Sequence, residues 1–171
     1  VRVDGLTRSG LVLTSRPVDL SLVARLTESD LETRALMRND DIRRGRLQAR
    51  VSSLPQSGDL LERLRAGRLF GQLRYNGAAE SLWRLAAIDA FDLTGPVSVA
   101  ADATGTLADP TVRGSVTSDA MRVQSSLSGT DIRSVAMRGR FAGSRLQLTR
   151  FSGQTPNGGT VSGSGIVDLH T

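Results

Sequence analysis

The chain has no cysteine. Disulfides, thiolate metal sites and cysteine nucleophiles are therefore excluded. It also has no lysine, so all 22 basic side chains are arginines. A Walker phosphate loop, a Schiff-base lysine and pyridoxal chemistry each need the missing amine. The one histidine, His170, stands one residue from the end. A histidine triad or a multi-histidine metal site cannot be built from it. Aromatic residues make up only 4% of 171, so a core must come from Leu, Val and Ala. One Trp and one Tyr give little platform for a sugar, which argues against a glycosidase-like acid pair. No enzyme activity, cofactor or metal is expected. No run of about 18 apolar residues occurs, so no helical membrane span is expected, and no secretory signal pattern is present. The sequence opens at Val1 in mid-pattern and without Met. It reads as a piece of a longer protein that carries such signals elsewhere.

The net charge is +5, which raises nucleic acid or an anionic membrane as partners. The arginines, however, are spread along the chain, mostly beside Asp, Glu, Ser or Thr. The tightest clusters are Arg43-Arg44-Gly45-Arg46 and Arg63, Arg65 and Arg68. They read as solubilising charge on strand faces, and no nucleic-acid partner is expected.

What is present is period-two alternation. Val18, Leu20, Leu22, Ala24 and Leu26 fall on one face, with Val23 interrupting the polar side. Leu47, Ala49 and Val51 alternate with polar residues, as do Leu69, Gly71, Leu73 and Tyr75. The pattern recurs at Val97-Val99-Ala101-Ala103, Val112-Gly114-Val116, Met121-Val123-Ser125-Leu127 and Val135-Met137-Gly139-Phe141. It ends with Leu146-Leu148 and Val161-Gly163-Gly165-Val167-Leu169. Such alternation predicts antiparallel strands with one apolar face. Turn signals fall at Asn39-Asp40-Asp41, Asn76-Gly77, Thr94-Gly95-Pro96, Ala108-Asp109-Pro110, Ser128-Gly129, Ala142-Gly143 and Pro156-Asn157-Gly158-Gly159. The spacing predicts about ten to twelve strands in a single domain over residues 1–171.

Two segments read as short helices, at about 59–66 and about 79–86. Asp59 can cap the first and Gly67 can end it. Leu60, Leu61 and Leu64 form its apolar stripe, and Leu82, Trp83 and Leu85 that of the second. Helices this short need a docking surface, and the sheet's apolar face is the expected one. Trp83 reads first as a packing anchor; both stripes are also candidate gates over that face. Two short helices cannot cover so large a sheet. It must fold into a closed β-sandwich or jelly roll, close into a barrel, or curl into an open groove. Composition alone leaves these open.

The segment Gly95-Pro96-Val97-Ser98-Val99, followed by Gly105-Thr106-Leu107-Ala108-Asp109-Pro110-Thr111-Val112-Arg113-Gly114, resembles the TamB family. Its members carry a similar glycine-proline-hydrophobic strand and then a G-T-L-x-x-P-x-x-x-G turn. The resemblance continues through Ser128-Gly129-Thr130-Asp131-Ile132, Gly139-Arg140-Phe141 and Arg145-Leu146-Gln147-Leu148 to Gly158-Gly159-Thr160-Val161-Ser162-Gly163-Ser164-Gly165-Ile166-Val167-Asp168-Leu169. Upstream, Gly71-Gln72-Leu73-Arg74-Tyr75-Asn76-Gly77 and Leu82-Trp83-Arg84-Leu85 also fit. It is the order of these motifs that makes the likeness specific. It runs from near Gly67 to the end; residues 1–54 share only strand character.

The resemblance implies a fragment of the C-terminal conserved region of a TamB-like protein, related to AsmA-like, bridge-like lipid-transfer proteins. The fold implied is all-β with two short helices, a long antiparallel sheet curled around an open hydrophobic groove, the β-taco. The implied setting is the periplasm of a Gram-negative bacterium, with an N-terminal helix in the inner membrane. TamA, of the Omp85 class, is the implied outer-membrane partner, and the clients are phospholipid or unfolded outer-membrane and autotransporter proteins. The expected groove-lining residues are Leu20, Leu22, Leu26, Leu47, Val51, Leu69, Leu73, Val97, Val99, Val112, Val116, Val135, Met137, Phe141, Leu146, Leu148 and Val161. The outer strands of such a piece, near Val1–Asp4 and Val167–His170, are expected to leave open edges that favour end-to-end self-association.

Overall fold

A computed structural model describes residues 2–6, 18–39, 42–85, 92–125 and 127–168. The strands are β1 (Arg2–Leu6), β2 (Val18–Leu26), β3 (Leu31–Asn39), β4 (Ile42–Ser52), β5 (Arg68–Ala78), β6 (Asp92–Thr94), β7 (Pro96–Thr106), β8 (Pro110–Ser125), β9 (Thr130–Gly143), β10 (Arg145–Gln154) and β11 (Thr160–Asp168). Helix α1 (Leu60–Ala66) joins β4 to β5, and α2 (Ala79–Leu85) follows β5 directly. The fold is all-β with two short helices. Its strands form one antiparallel sheet in the order β1-β2-β3-β4-β5-β7-β8-β9-β10-β11, with β6 paired to β8. The sheet does not close, so the sandwich alternative is not the form adopted.

Strands β6 and β7 share one edge of β8. Thr94 lies opposite Arg122, and Ser98 opposite Thr117. The expected turn at Thr94-Gly95-Pro96 is therefore a break within a nearly continuous edge, not a hairpin. Asn76-Gly77, also read as a turn, lies inside β5 opposite Ser98 and Val97. Gly77 is needed there for space: a Cβ would lie 2.7 Å from the Tyr75 hydroxyl oxygen. β3 was not evident as an alternating run. Its positions on the Leu20 side are Leu31, Thr33, Ala35 and Met37, while apolar Leu36 points the other way. Leu127 lies past the end of β8 and is exposed.

Helix α1 forms as its sequence predicts. Asp59 accepts a hydrogen bond from the Glu62 N–H at 2.8 Å, and Gly67 ends the helix. Its docking is different from the expectation. The Arg63 guanidinium donates to the carbonyls of Pro55 and Glu28, and Ala108 N–H donates to Arg65 O. These bonds hold α1 at the strand ends rather than over the sheet. Leu60 and Leu61 are exposed, and α1 has no buried residue. The apolar seat beside Val51 is filled by Leu54 from the preceding loop, which is buried.

The core lies on one side of the sheet. Met37, Tyr75, Ala79, Val97, Val116, Met121 and Val135 form its buried cluster, with Val135 wholly enclosed. Gly114 lets β7 and β8 approach. Its φ is 150°, and a Cβ would collide with the Ala100 carbonyl. Ion pairs fasten strands on the opposite side. Arg74 makes two hydrogen bonds to Asp102, and Arg122 two to Asp131, which Arg133 also contacts.

Two predictions follow from the packing and the charge. Val135→Ala should lower unfolding free energy by about 2 kcal/mol. Val23→Ala, on the exposed side, should change it by less than about 0.5 kcal/mol; denaturant titration reads both. The Asp131 carboxyl is lowered from 3.8 to about 2, chiefly by the Arg122 hydrogen bonds. A depressed carboxylate stabilises the fold above its unfolded value, and the contribution disappears as pH falls through the folded one. Asp131→Asn should therefore flatten the stability–pH curve between 3.8 and about 2, measured by denaturation across that range.

Candidate functional site

The strand registers align the alternating residues into continuous rows. One row runs Leu20, Met37, Gly45, Tyr75, Val99, Val116, Gly139, Leu148 and Gly165, each opposite the next. The next runs Leu22, Ala35, Leu47, Leu73, Ala101, Gly114, Phe141 and Leu146. Two residues further along lie Ala24, Thr33, Ala49, Gly71, Ala103 and Val112, then Leu26, Leu31, Val51 and Leu69. On the other flank, Ser118 faces Met137 and Met137 faces Phe151, while Met121 faces Val135. No charged side chain occurs along these rows. Because successive side chains alternate faces, Leu20, Leu22, Leu26, Leu47, Val51, Leu69, Leu73, Val97, Val99, Val112, Val116, Val135, Met137, Phe141, Leu146, Leu148 and Val161 all fall on this one side. Residues outside the expected groove lining join them: Met121 and Val123, which the alternation marked, and Ala35, Met37, Ile132 and Phe151, which it did not.

The opposite face is polar. One of its rows runs Ser21, Leu36, Arg46, Arg74, Ala100, Ser115, Arg140, Gln147 and Ile166. Among the described strand residues the arginines concentrate on this side, with scattered apolar residues such as Leu36 and Ile166 between them.

Coverage divides the apolar face in two. Helix α2 lies over the end where Met121, Val123, Val135 and Leu93 gather. Ala79 and Ser81 are buried, and Leu82 packs on the core cluster. The side chains of Trp83 and Leu85 lie outside the described residues, as does Ala86 of the expected helix 79–86. Leu47 is 36% exposed and Leu26 51% exposed, so the face meets solvent towards β2, while Val51 at that far end is covered by Leu54.

Gly95 is the anchor of α2. Its carbonyl accepts from Ala79 N–H at 2.7 Å, and its own N–H donates to Glu80 Oε2 at 3.2 Å. This reciprocal pair pins the first turn of the helix to the β6–β7 break. Its φ of 103° favours glycine, and a Cβ would sit 2.7 Å from Ala120 O. Tyr75 supports the same corner by donating its hydroxyl to Ala78 O at 2.7 Å. Beside it a depression of about 390 Å³ is lined by Met37, Tyr75, Gly77, Glu80, Arg38 and Arg44, among others. A second, of about 580 Å³, lies at Phe141, Gly114 and Arg113.

Among the described residues, no group of three or more His, Asp and Glu is placed to hold a metal. No helix among them is long and apolar enough to cross a membrane. Compared with family models, with curated proteins and with solved structures, the chain gives no match.

The anchor is open to a direct check. Glu80→Ala removes the acceptor for Gly95 N–H. Hydrogen exchange at the Gly95 and Ala79 amides should accelerate at least tenfold, with little change in the centre of β8 and β9.

Proposed function

We propose that this chain is part of a periplasm-spanning hydrophobic-groove protein of TamB type. It shields phospholipid acyl chains, or apolar β-strands of outer-membrane and autotransporter clients, in transit between two membranes. The observation that carries this reading is the charge-free apolar face, continuous from β2 to β10 and covered only in part. A closed structural module needs no such exposed surface, and monomeric soluble proteins rarely leave large contiguous apolar patches open.

The energetics agree. An acyl chain in water costs about 0.8 kcal/mol per CH₂. An aliphatic wall offers surroundings about as apolar as a bilayer, so transfer onto it is close to neutral. No single residue is catalytic in such a device, because the face acts as a whole. In this reading the sheet curls about its apolar side into the taco of that family. An extended apolar client strand is the second cargo that the same surface admits. The inner-membrane anchor, the periplasmic setting and a TamA-like outer-membrane partner come with the family likeness and are proposed on that ground.

Leu148 and Gln147 are adjacent in β10 and face opposite sides. A photo-crosslinker at Leu148 or Leu47 should capture phospholipid, while one at Gln147 or Gln48 should not. Equal labelling on both faces, or none on either, would sink the assignment. Leu47→Asp should reduce lipid capture at least tenfold while leaving the circular dichroism of the sheet unchanged.

A further inference from the structure

An apolar face without charge can hold tails but not a headgroup, so a bound phospholipid must place its polar end at a rim. The depression beside α2 is a place where the rim carries charge of both signs. Met37 and Tyr75 form its apolar floor, and both belong to the row of the face that begins at Leu20. Arg38, Arg44 and Glu80 line it as well.

Two features put the cations there. The β3–β4 register shifts between Met37 and Arg38: Met37 faces Gly45 and Arg38 faces Arg43, which makes Arg44 the extra residue of a bulge. Bulges re-aim side chains at sheet rims. Arg44 also lies close against β5, since a Cβ on Gly77 would be 3.2 Å from the Arg44 Cβ. Both arginines are exposed, and neither forms an ion pair among the described residues. The Glu80 carboxylate is held in place by the Gly95 N–H.

We propose that this depression binds the headgroup of a zwitterionic, amine-bearing glycerophospholipid. The phosphodiester takes the guanidinium groups of Arg38 and Arg44, the ammonium takes Glu80, and the acyl chains run from Met37 and Tyr75 onto the apolar rows. This rests on the lipid reading of the preceding subsection and adds a place and a chemistry for the polar end. Guanidinium groups suit phosphate oxygens in geometry and charge. A carboxylate in the same depression disfavours a purely anionic head and favours one that ends in an amine.

The test incubates the chain with vesicles containing equal phosphatidylethanolamine and phosphatidylglycerol of identical acyl chains. The protein is then re-isolated and its bound lipid identified by mass spectrometry. The ethanolamine lipid should be enriched at least fivefold over the glycerol lipid. Arg38→Gln with Arg44→Gln should lower total bound lipid about tenfold, as expected for lost charge-assisted hydrogen bonds. Glu80→Gln keeps an acceptor for Gly95 N–H but loses the charge, and the enrichment should fall to about one. Should the double variant not fold, Arg44→Gln alone and the selectivity of Glu80→Gln still decide the matter. Free phosphoethanolamine forms the second arm and should bind at least a hundredfold more weakly than the lipid. Equal affinity would make this a site for a soluble phosphate and overturn the lipid assignment. Bound lipid without headgroup preference, or enrichment unchanged in Glu80→Gln, overturns the headgroup site and leaves the groove standing. No bound lipid of either kind overturns both.

Discussion

Everything in this molecule depends on parity. Each strand of an antiparallel sheet places alternate residues on opposite faces, and a one-residue slip exchanges the faces for that whole strand. From β2 to β10 the pairings keep Leu20, Met37, Tyr75, Val99, Val116 and Leu148 in line. The absence of arginine from the aliphatic rows follows from that alignment. Irregularities are absorbed locally. The β3–β4 shift re-aims Arg44, and the break at Gly95 lets one edge of β8 serve two strands. Gly114 is a further condition of the same order, because a side chain there would push β7 away from β8.

Parity explains the two faces but not which part of the apolar one is closed. That is settled by α2. The helix emerges from β5 without a loop, and Gly95 fastens its first turn. Met121 and Val135 at that end are among the most deeply buried of the described residues, whereas Leu26 and Leu47 remain open. One helix of seven residues thereby seals one end of the face, while Leu54 covers only Val51 at the other. Helix α1 sits at the strand ends and leaves the face clear.

The sequence carries the faces plainly, because alternation is a local signal. Leu69, Leu73 and Tyr75, or Val135 and Met137, announce their side within a few residues. β3 is harder to see, since Thr33 and Ala35 are small or polar and Leu36 points outward. Asn76-Gly77 misleads because the glycine makes room for the Tyr75 ring two residues before it and for Arg44 of β4, rather than for a turn. The docking of α1 was not legible either. It is decided by carbonyls of Glu28, Pro55 and Arg65 and by the filling of its seat by Leu54, none of which alternation reports. The depression beside α2 was hidden for the same reason: Arg38, Arg44 and Glu80 come together only through a bulge and a helix anchor.

The strand order has a mechanical consequence. Nearly every strand bonds to its immediate neighbours in the chain, so the sheet behaves as a one-dimensional stack like a solenoid. Its cooperativity is nearest-neighbour, and an outer strand can peel away without unzipping the interior. A stack of this kind can be lengthened by adding strands at an edge without redesigning what already stands.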